Sequence, residues 1–232
     1  MANHEAAGRL KLSGVYTALL TLDLAQSEFA REPQAILDRQ QRQRSALERL
    51  DKEQKLVLLG DPGSGKSTFV DFVALCMAGE LRKDKQVNRK LLTEPLPVDD
   101  EAQQAQEKKP KRQPWQHGGL LPVRIILRDF VSWKGFPTVG GEATVNHVLG
   151  FVQAELTRCG YGECFAWLEN TLKDQGGLLL FDGLDEVPEA DQRRQQIKQA
   201  IESATQSLSR CRFLVTGRPY AYQTFGASLK RS

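Results

Sequence analysis

Cysteine is scarce in this chain of 232 residues. Only Cys76, Cys159, Cys164 and Cys211 occur, and no two of them form a C-x-x-C pair. Four thiols without that spacing argue against a zinc knuckle, and they are too few for a disulfide scaffold. Each sits among apolar or helix-like neighbours, so all four are expected as reduced, buried thiols of a cytosolic protein. Long apolar runs are absent too. Stretches such as "LLLF" and "FVALCMAG" fall far short of the roughly 20 residues of a membrane span. The first residues, "MANHEAAGRLKLSG", lack the basic start and unbroken apolar core of a secretory signal. The expectation is a soluble, cytoplasmic protein with no membrane partner. Nor does one sign of charge prevail. Lys and Arg number 32 against 29 Asp and Glu, a formal net charge of +3, so bulk charge argues for neither nucleic acid nor a membrane surface. No internal repeat is visible.

What is present suffices for one sizeable core, since 40% of the residues are hydrophobic. "KLVLL" (55–59) is an apolar run that ends at Gly60. That is the pattern of a strand buried on both faces, as in a parallel sheet. "KSTFVDFVALCMAGE" follows, with Phe69, Phe72, Val73, Cys76 and Met77 at helical spacing and Gly79 near its end. "LLPVRIILRDF" (120–130) reads as another strand. "ATVNHVLGFVQAELTRCG" and "CFAWLENTLKDQGG" read as helices, the second ending at Gly176. "LLLFDGLDEV" (178–187) is a strand that runs straight into acids, and "ADQRRQQIKQAIESATQSLSR" is a helix. "CRFLVTGRPYAY" (211–222) begins as a strand. Strands alternating with helices predict an α/β domain with a mainly parallel central sheet.

Three segments stand apart. "LSGVYTALLTLDL" fits a strand or a short helix, and periodicity does not decide between them. "PQAILDRQQRQRSALERLDKEQ" reads as a solvated helix with Pro33 in its first turn. Residues 81–118 are charged, Gln-rich and broken by proline, and are expected as an insertion or mobile loop. "KKPKR" (108–112) within it is flanked by acids and has no aromatic platform around it. It is taken as a solvated linker, not as a nuclear address or a nucleic-acid patch.

Chemistry concentrates in "LLGDPGSGKSTF" (58–69). Gly60, Gly65, Lys66 and Ser67 satisfy G-x-x-x-x-G-K-[ST], between a strand and a helix. Glycines let successive backbone N–H groups curl around a phosphate without Cβ clashes. The helix beginning near Gly65 aims its unsatisfied N–H groups and its positive dipole end at the same place. Lys66 is expected to reach the β and γ phosphates, Ser67 to place its hydroxyl on Mg²⁺, and Thr68 to meet the α-phosphate side. The cradle comprises Gly60, Asp61, Pro62, Gly63, Ser64, Gly65, Lys66, Ser67 and Thr68. An ordinary glycine-rich turn is the alternative. It must also explain Lys66 and Ser67 at these offsets, which recur by chance in roughly one chain of this length in a hundred.

A phosphate loop needs a carboxylate for the metal. In "LLLFDGLDE" four apolar residues end at Asp182, where a buried strand reaches the sheet's carboxyl edge and phosphate ligands bind. Asp182 is expected in the Mg²⁺ shell through water, with Ser67. Asp185 or Glu186 can orient or deprotonate an attacking water. Both also fit an acidic loop capping the next helix, as Glu189 and Asp191 do. "FLVTGRP" is the third piece: Thr216 ends a strand and can touch the γ-phosphate or water. Arg218 can sense the γ-phosphate, pair with nearby acids, or be a surface arginine in a turn. The guanine-reading N-K-x-D is missing, since "VNRK" lacks the aspartate, so ATP is favoured as the nucleotide.

"GDPGSGKST", "LLLFDGLDEV" and "VTGRP", in this order and spacing, resemble a NACHT-type NTPase of the STAND class, the signal-transducing P-loop NTPases with numerous domains. The small Gly183 after Asp182, then Asp185 and Glu186, resembles the family's particular mark. Most relatives outside it place glutamate directly after the metal-binding aspartate. The resemblance covers residues 51–222 and includes "LLPVRIILRDF"; "GVYTALLTL" resembles the flank of bacterial members. It implies a P-loop three-layer sandwich of the ASCE type, with a lead-in over 1–50 and a nucleotide-binding core over 51–232. It also implies a switch that rests with ADP, exchanges to Mg·ATP, forms homo-oligomers and hydrolyses slowly, as in defence against phage or pathogens. Direct nucleic-acid binding is not implied. The family continues with a further strand, a helical segment and a winged helix, then a sensor, whereas this chain ends at Ser232. The resemblance therefore implies an incomplete C-terminus and the N-terminal part of a longer protein, a truncated product or a fragment. An AAA+-like work-producing ATPase is the alternative, but it predicts glutamate in place of Gly183. An interaction module without turnover is another, although Lys66, Ser67 and Asp182 are intact. A small-molecule kinase would need an arginine-rich acceptor lid, for which residues 81–118 are poorly composed.

Overall fold

A computed structural model describes residues 20–21, 44–95, 112–188 and 192–225 of the chain. Its centre is the apolar run Gly177–Asp182, strand β5, all six residues of which are buried. A strand with no polar face must be covered on both sides. Strands β3 (Lys55–Leu59), β4 (Leu121–Ile126) and β6 (Arg212–Gly217) join it in a four-stranded sheet of order β3-β6-β5-β4, parallel throughout. The expected α/β class and parallel sheet are therefore observed. Pro122 and Arg124 lie in β4, at one end of that order, where a missing N–H and an exposed charge are tolerated.

Alternation along the strands sends side chains to opposite faces. Leu178, Leu180 and Leu214 pack with Phe69, Val73 and Met77 of helix α2 (Lys66–Leu81). They are joined by Leu47 and Leu50 of helix α1 (Ala46–Lys52). On the other face Leu179, Phe181, Phe213 and Val215 meet Val148 and Val152 of α5 (Val145–Arg158) and Ile197 and Ile201 of α7 (Arg193–Ser207). Each fully buried Leu or Phe contributes roughly 1.5–3 kcal/mol, so the sheet is anchored from both sides. Among the described residues the remaining α-helices are α3 (Arg89–Leu92), α4 (Leu127–Ser132), α6 (Phe165–Asp174) and α8 (Pro219–Phe225). Gly176 follows α6 at φ +87°, and a Cβ there would lie 2.4 Å from the Arg210 carbonyl oxygen. Handedness and close approach both call for glycine at the expected helix end.

Several boundaries differ from the sequence expectation. The strand of "LLPVRIILRDF" stops at Ile126, and α4 begins at Leu127. Leu127 and Phe130 are both fully buried and stand three apart, a helical spacing that the preceding apolar run obscures. The strand of "LLLFDGLDEV" stops at Asp182, where Gly183 at φ +86° turns the chain into a 3-10 turn, Leu184–Glu186. Of the helix expected from Pro33, Ala46–Lys52 is helical, capped by Ser45 Oγ, which accepts from the Glu48 N–H at 3.0 Å. Arg44–Ser45 is instead β2, antiparallel to β1 (Leu20–Thr21), so the open choice in "VYTALLTL" falls to strand at those two residues. Residues 22–43 lie outside the described residues.

Both ends of the segment expected as a mobile insertion are built into the fold. Trp115 is only 8% exposed, and its Nε1 donates to the Gly118 carbonyl. The buried Asp51 carboxylate accepts from the Gln116 N–H at 2.7 Å. Arg112 Nη1 donates to the Lys90 carbonyl. Residues 96–111, with most of "KKPKR", lie outside the described residues.

The expectation of four buried thiols is half corrected: Cys76 and Cys211 are buried, whereas Cys159 and Cys164 are exposed. Cys159 and Cys164 flank the turn between α5 and α6, where Tyr161 and Trp167 are exposed as well. Burial pushes the Cys76 thiol up to about 12 and that of Cys211 to about 11. The thiolate is the reactive form. A disulfide-exchange reagent at pH 8 is therefore expected to titrate two thiols in the native chain and four after denaturation. Four fast thiols in the native chain would contradict this packing. Among the described residues, no helix is long and apolar enough to cross a membrane.

Candidate functional site

The glycine-rich loop leaves β3 at the carboxyl edge of the sheet. The Gly60 N–H donates to the Gly217 carbonyl at 3.2 Å, which ties the loop's first residue to the end of β6. The Ser64 N–H then donates to the Asp61 carbonyl at 3.2 Å, closing a turn. Gly63 and Gly65 sit at φ +75° and +85°, a backbone region that other residues enter only with strain. A Cβ on Gly60 would come within 2.7 Å of Ser64 Oγ. Helix α2 starts at Lys66 with Gly65 as N-cap and no side-chain cap. The positive end of a 16-residue helix thus opens onto the loop. Lys66 Nζ bends back over the loop and donates to the carbonyls of Gly60 (2.7 Å) and Asp61 (2.9 Å) and to Ser64 Oγ (3.1 Å).

Asp182, at the end of β5, is 4% exposed. A buried carboxylate needs partners, and this one has three. Its Oδ1 accepts from Ser67 Oγ at 3.1 Å and from Thr216 Oγ1 at 2.6 Å. Its Oδ2 accepts from Arg124 Nη2 at 2.8 Å. The loop and the acidic motif, far apart in sequence, meet in the Ser67–Asp182 hydrogen bond. A hydroxyl that donates to Asp182 keeps its oxygen lone pairs for a cation. Ser67 and Asp182 form an oxygen-only donor set, the kind that magnesium selects. No group of three or more His, Cys, Asp and Glu with metal-binding placement occurs among the described residues.

The other expected residues divide. Asp185 and Arg218 are brought together, with Arg218 Nε 2.8 Å from Asp185 Oδ2. Glu186 pairs instead with Arg128 of α4, at 3.0 Å on the exposed side. Thr216 is 1% exposed; besides donating to Asp182, its hydroxyl accepts from the Gly183 N–H at 3.0 Å. It therefore fixes the turn after β5, and Gly183 and Thr216 together hold Asp182 in place.

Two residues of the site escaped the sequence reading. Arg124 bridges Asp182 and Asp71, its Nη1 lying 2.6 Å from Asp71 Oδ1. Burial pushes the Asp71 carboxyl above its ordinary value, Arg124 opposes that, and Asp182 adds to it. The available signals were a lone cation inside the apolar "LPVRII" and an acid four residues after Ser67 on one helix face.

No protein-family model, curated protein or solved structure matches the chain. Its class therefore rests on its own geometry. It is an α/β protein with a parallel four-stranded sheet and a glycine-rich loop at the carboxyl edge, hydrogen-bonded to the acid of a central strand.

Proposed function

We propose that this chain is the nucleotide-binding core of a NACHT-type switch NTPase of the STAND class. It binds Mg·ATP, holds ADP at rest and hydrolyses ATP slowly. The observation that carries the nucleotide reading is the Ser67–Asp182 hydrogen bond beneath an uncapped helix N-terminus. The position of β6 between β3 and β5 supports an ASCE-type P-loop sandwich. Oligomerisation and a role in defence follow from the resemblance of "GDPGSGKST", "LLLFDGLDEV" and "VTGRP".

Each residue then has a task. The backbone N–H groups of Gly63 and of Gly65 to Thr68 are placed to bind phosphate oxygens, and Lys66 would exchange its loop carbonyls for the β and γ phosphates. Ser67 and Asp182 hold magnesium, which when bound neutralises charge on the phosphates. Asp185 holds Arg218 and orients or deprotonates the attacking water. Gly183 at φ +86° leaves room for Glu186, whose carboxyl carbon would lie 3.3 Å from an added Cβ.

Calorimetric titration of the chain with Mg·ATP, Mg·ADP and Mg·GTP tests the reading. Adenine nucleotides are expected to bind and guanine to bind more weakly; heat-silent titrations with all three would overturn it. Asp185→Asn is expected to slow hydrolysis by roughly 10²-fold, with nucleotide affinity changed by less than about threefold, since the group acts on water and not on phosphate. Equal losses in both would move Asp185 into the metal shell.

A further inference from the structure

Arg124 is the one charged side chain on the otherwise apolar strand β4, and it is held from two sides. Its Nη1 meets Asp71 at 2.6 Å and its Nη2 meets Asp182 at 2.8 Å. Asp71 stands one helical turn after Ser67 on α2, so helix and sheet both hold the guanidinium. Hydroxyls from Ser67 and Thr216 take the other oxygen of Asp182. Every oxygen of the carboxylate expected to serve a metal therefore already has a donor.

Formal charges sharpen the picture. Asp71 and Asp182 supply two negative charges; Arg124 and Lys66 supply two positive ones. Asp185 and Arg218 form their own neutral pair. Immediately around Asp182 these charges balance, Asp61 of the loop being exposed, so a bare divalent cation would meet a fixed guanidinium with no surplus negative charge to offset the repulsion. A di- or triphosphate reverses that balance by bringing its own negative charge.

The geometry points to Arg124 as a positioning residue that keeps a divalent cation off Asp182 until a nucleotide supplies the charge to bring it in. This deepens the nucleotide reading and rests on it. Arg124 acts through Asp182, and Asp71 holds it in register.

Manganese binding to the full nucleotide-free chain, followed by electron paramagnetic resonance, tests the inference. Arg124→Gln is expected to bind Mn²⁺ without nucleotide about tenfold more tightly than the parent or better. Arg124→Lys, which keeps the charge, is expected to stay near the parent. In the parent alone, saturating ADP is expected to raise Mn²⁺ affinity by a similar factor, a measurement that needs no variant to fold. Unchanged Mn²⁺ affinity in folded Arg124→Gln, or equal parent affinity with and without ADP, overturns the inference. Arg124→Lys matching Arg124→Gln overturns it too. A chain that binds Mg·ATP yet gives one of these results loses the inference alone; a chain that binds no Mg·ATP loses both readings.

Discussion

Lys66→Ala is expected to remove most nucleotide affinity while leaving the fold in place. The ammonium is the only side-chain cation expected to reach the β and γ phosphates from the loop, and hydrogen bonds to charged groups are each worth about 1.5–3 kcal/mol. Losing about 3 kcal/mol corresponds to roughly two orders of magnitude in Kd. The fold should hardly register the change. All three hydrogen bonds of Lys66 Nζ run to the loop itself, to Gly60, Asp61 and Ser64, and none reaches the core. A loss of about 1 kcal/mol moves Tm by only 2–4 °C in a domain of this size. Calorimetry with Mg·ATP and a thermal melt on the same sample separate the two effects. Unchanged affinity would refute the assignment of the site, and a collapsed melt would show that the loop is structural.

Phe181→Ala is expected to do the reverse. Phe181 is fully buried in the central strand β5. In register it stands between Ile125 of β4 and Val215 of β6. Its ring fills the face covered by α5 and α7. Truncating a buried Phe costs about 3–5 kcal/mol, because flanking strands cannot close over the cavity. Against a total stability of roughly 5–15 kcal/mol, that is a large share, and Tm should fall by roughly 6–20 °C. Denaturant unfolding monitored by circular dichroism checks the value. A loss below about 1 kcal/mol would mean that the strand packs more loosely than the structure shows. Glu186→Gln provides the contrast: it breaks an exposed pair with Arg128 and should change stability by less than about 1 kcal/mol.

Taken together, the two large effects separate the site from its support. Lys66 stands where the loop enters α2, and its ammonium makes no contact that the sheet depends on, whereas Phe181 lies in the sheet that places Asp182. The separation arises because the glycine-rich loop takes conformations at Gly63 and Gly65 that other residues enter only with strain, and those conformations lie outside the packed layers.

Much of the arrangement was legible from residue order alone. The strand before Gly60, the helix after Gly65 and the acid ending "LLLF" are local patterns, set by apolar period, backbone freedom and the cost of burying charge next to leucines. Those forces act within about ten residues, so the chain carried them openly. The parallel sheet followed from the alternation of such units. Other features depend on residues distant in sequence. Periodicity shows neither that "LRDF" leaves the strand for a helix nor that Cys159 and Cys164 face solvent. Both depend on which neighbours the final packing covers. The pairing of Asp185 with Arg218 and of Glu186 with Arg128 could not be told apart from spacing, since either acid fits either partner until the turn at Gly183 orients them. The most consequential contact, Arg124 between Asp71 and Asp182, joins three elements. Only the order β3-β6-β5-β4, with β4 beside β5 and α2 across both, brings that cation to the carboxylates. Local chemistry thus determined which residues bind phosphate and metal in this reading. Tertiary packing decided which charges those residues meet, because electrostatic partners are chosen by distance in space and not along the chain.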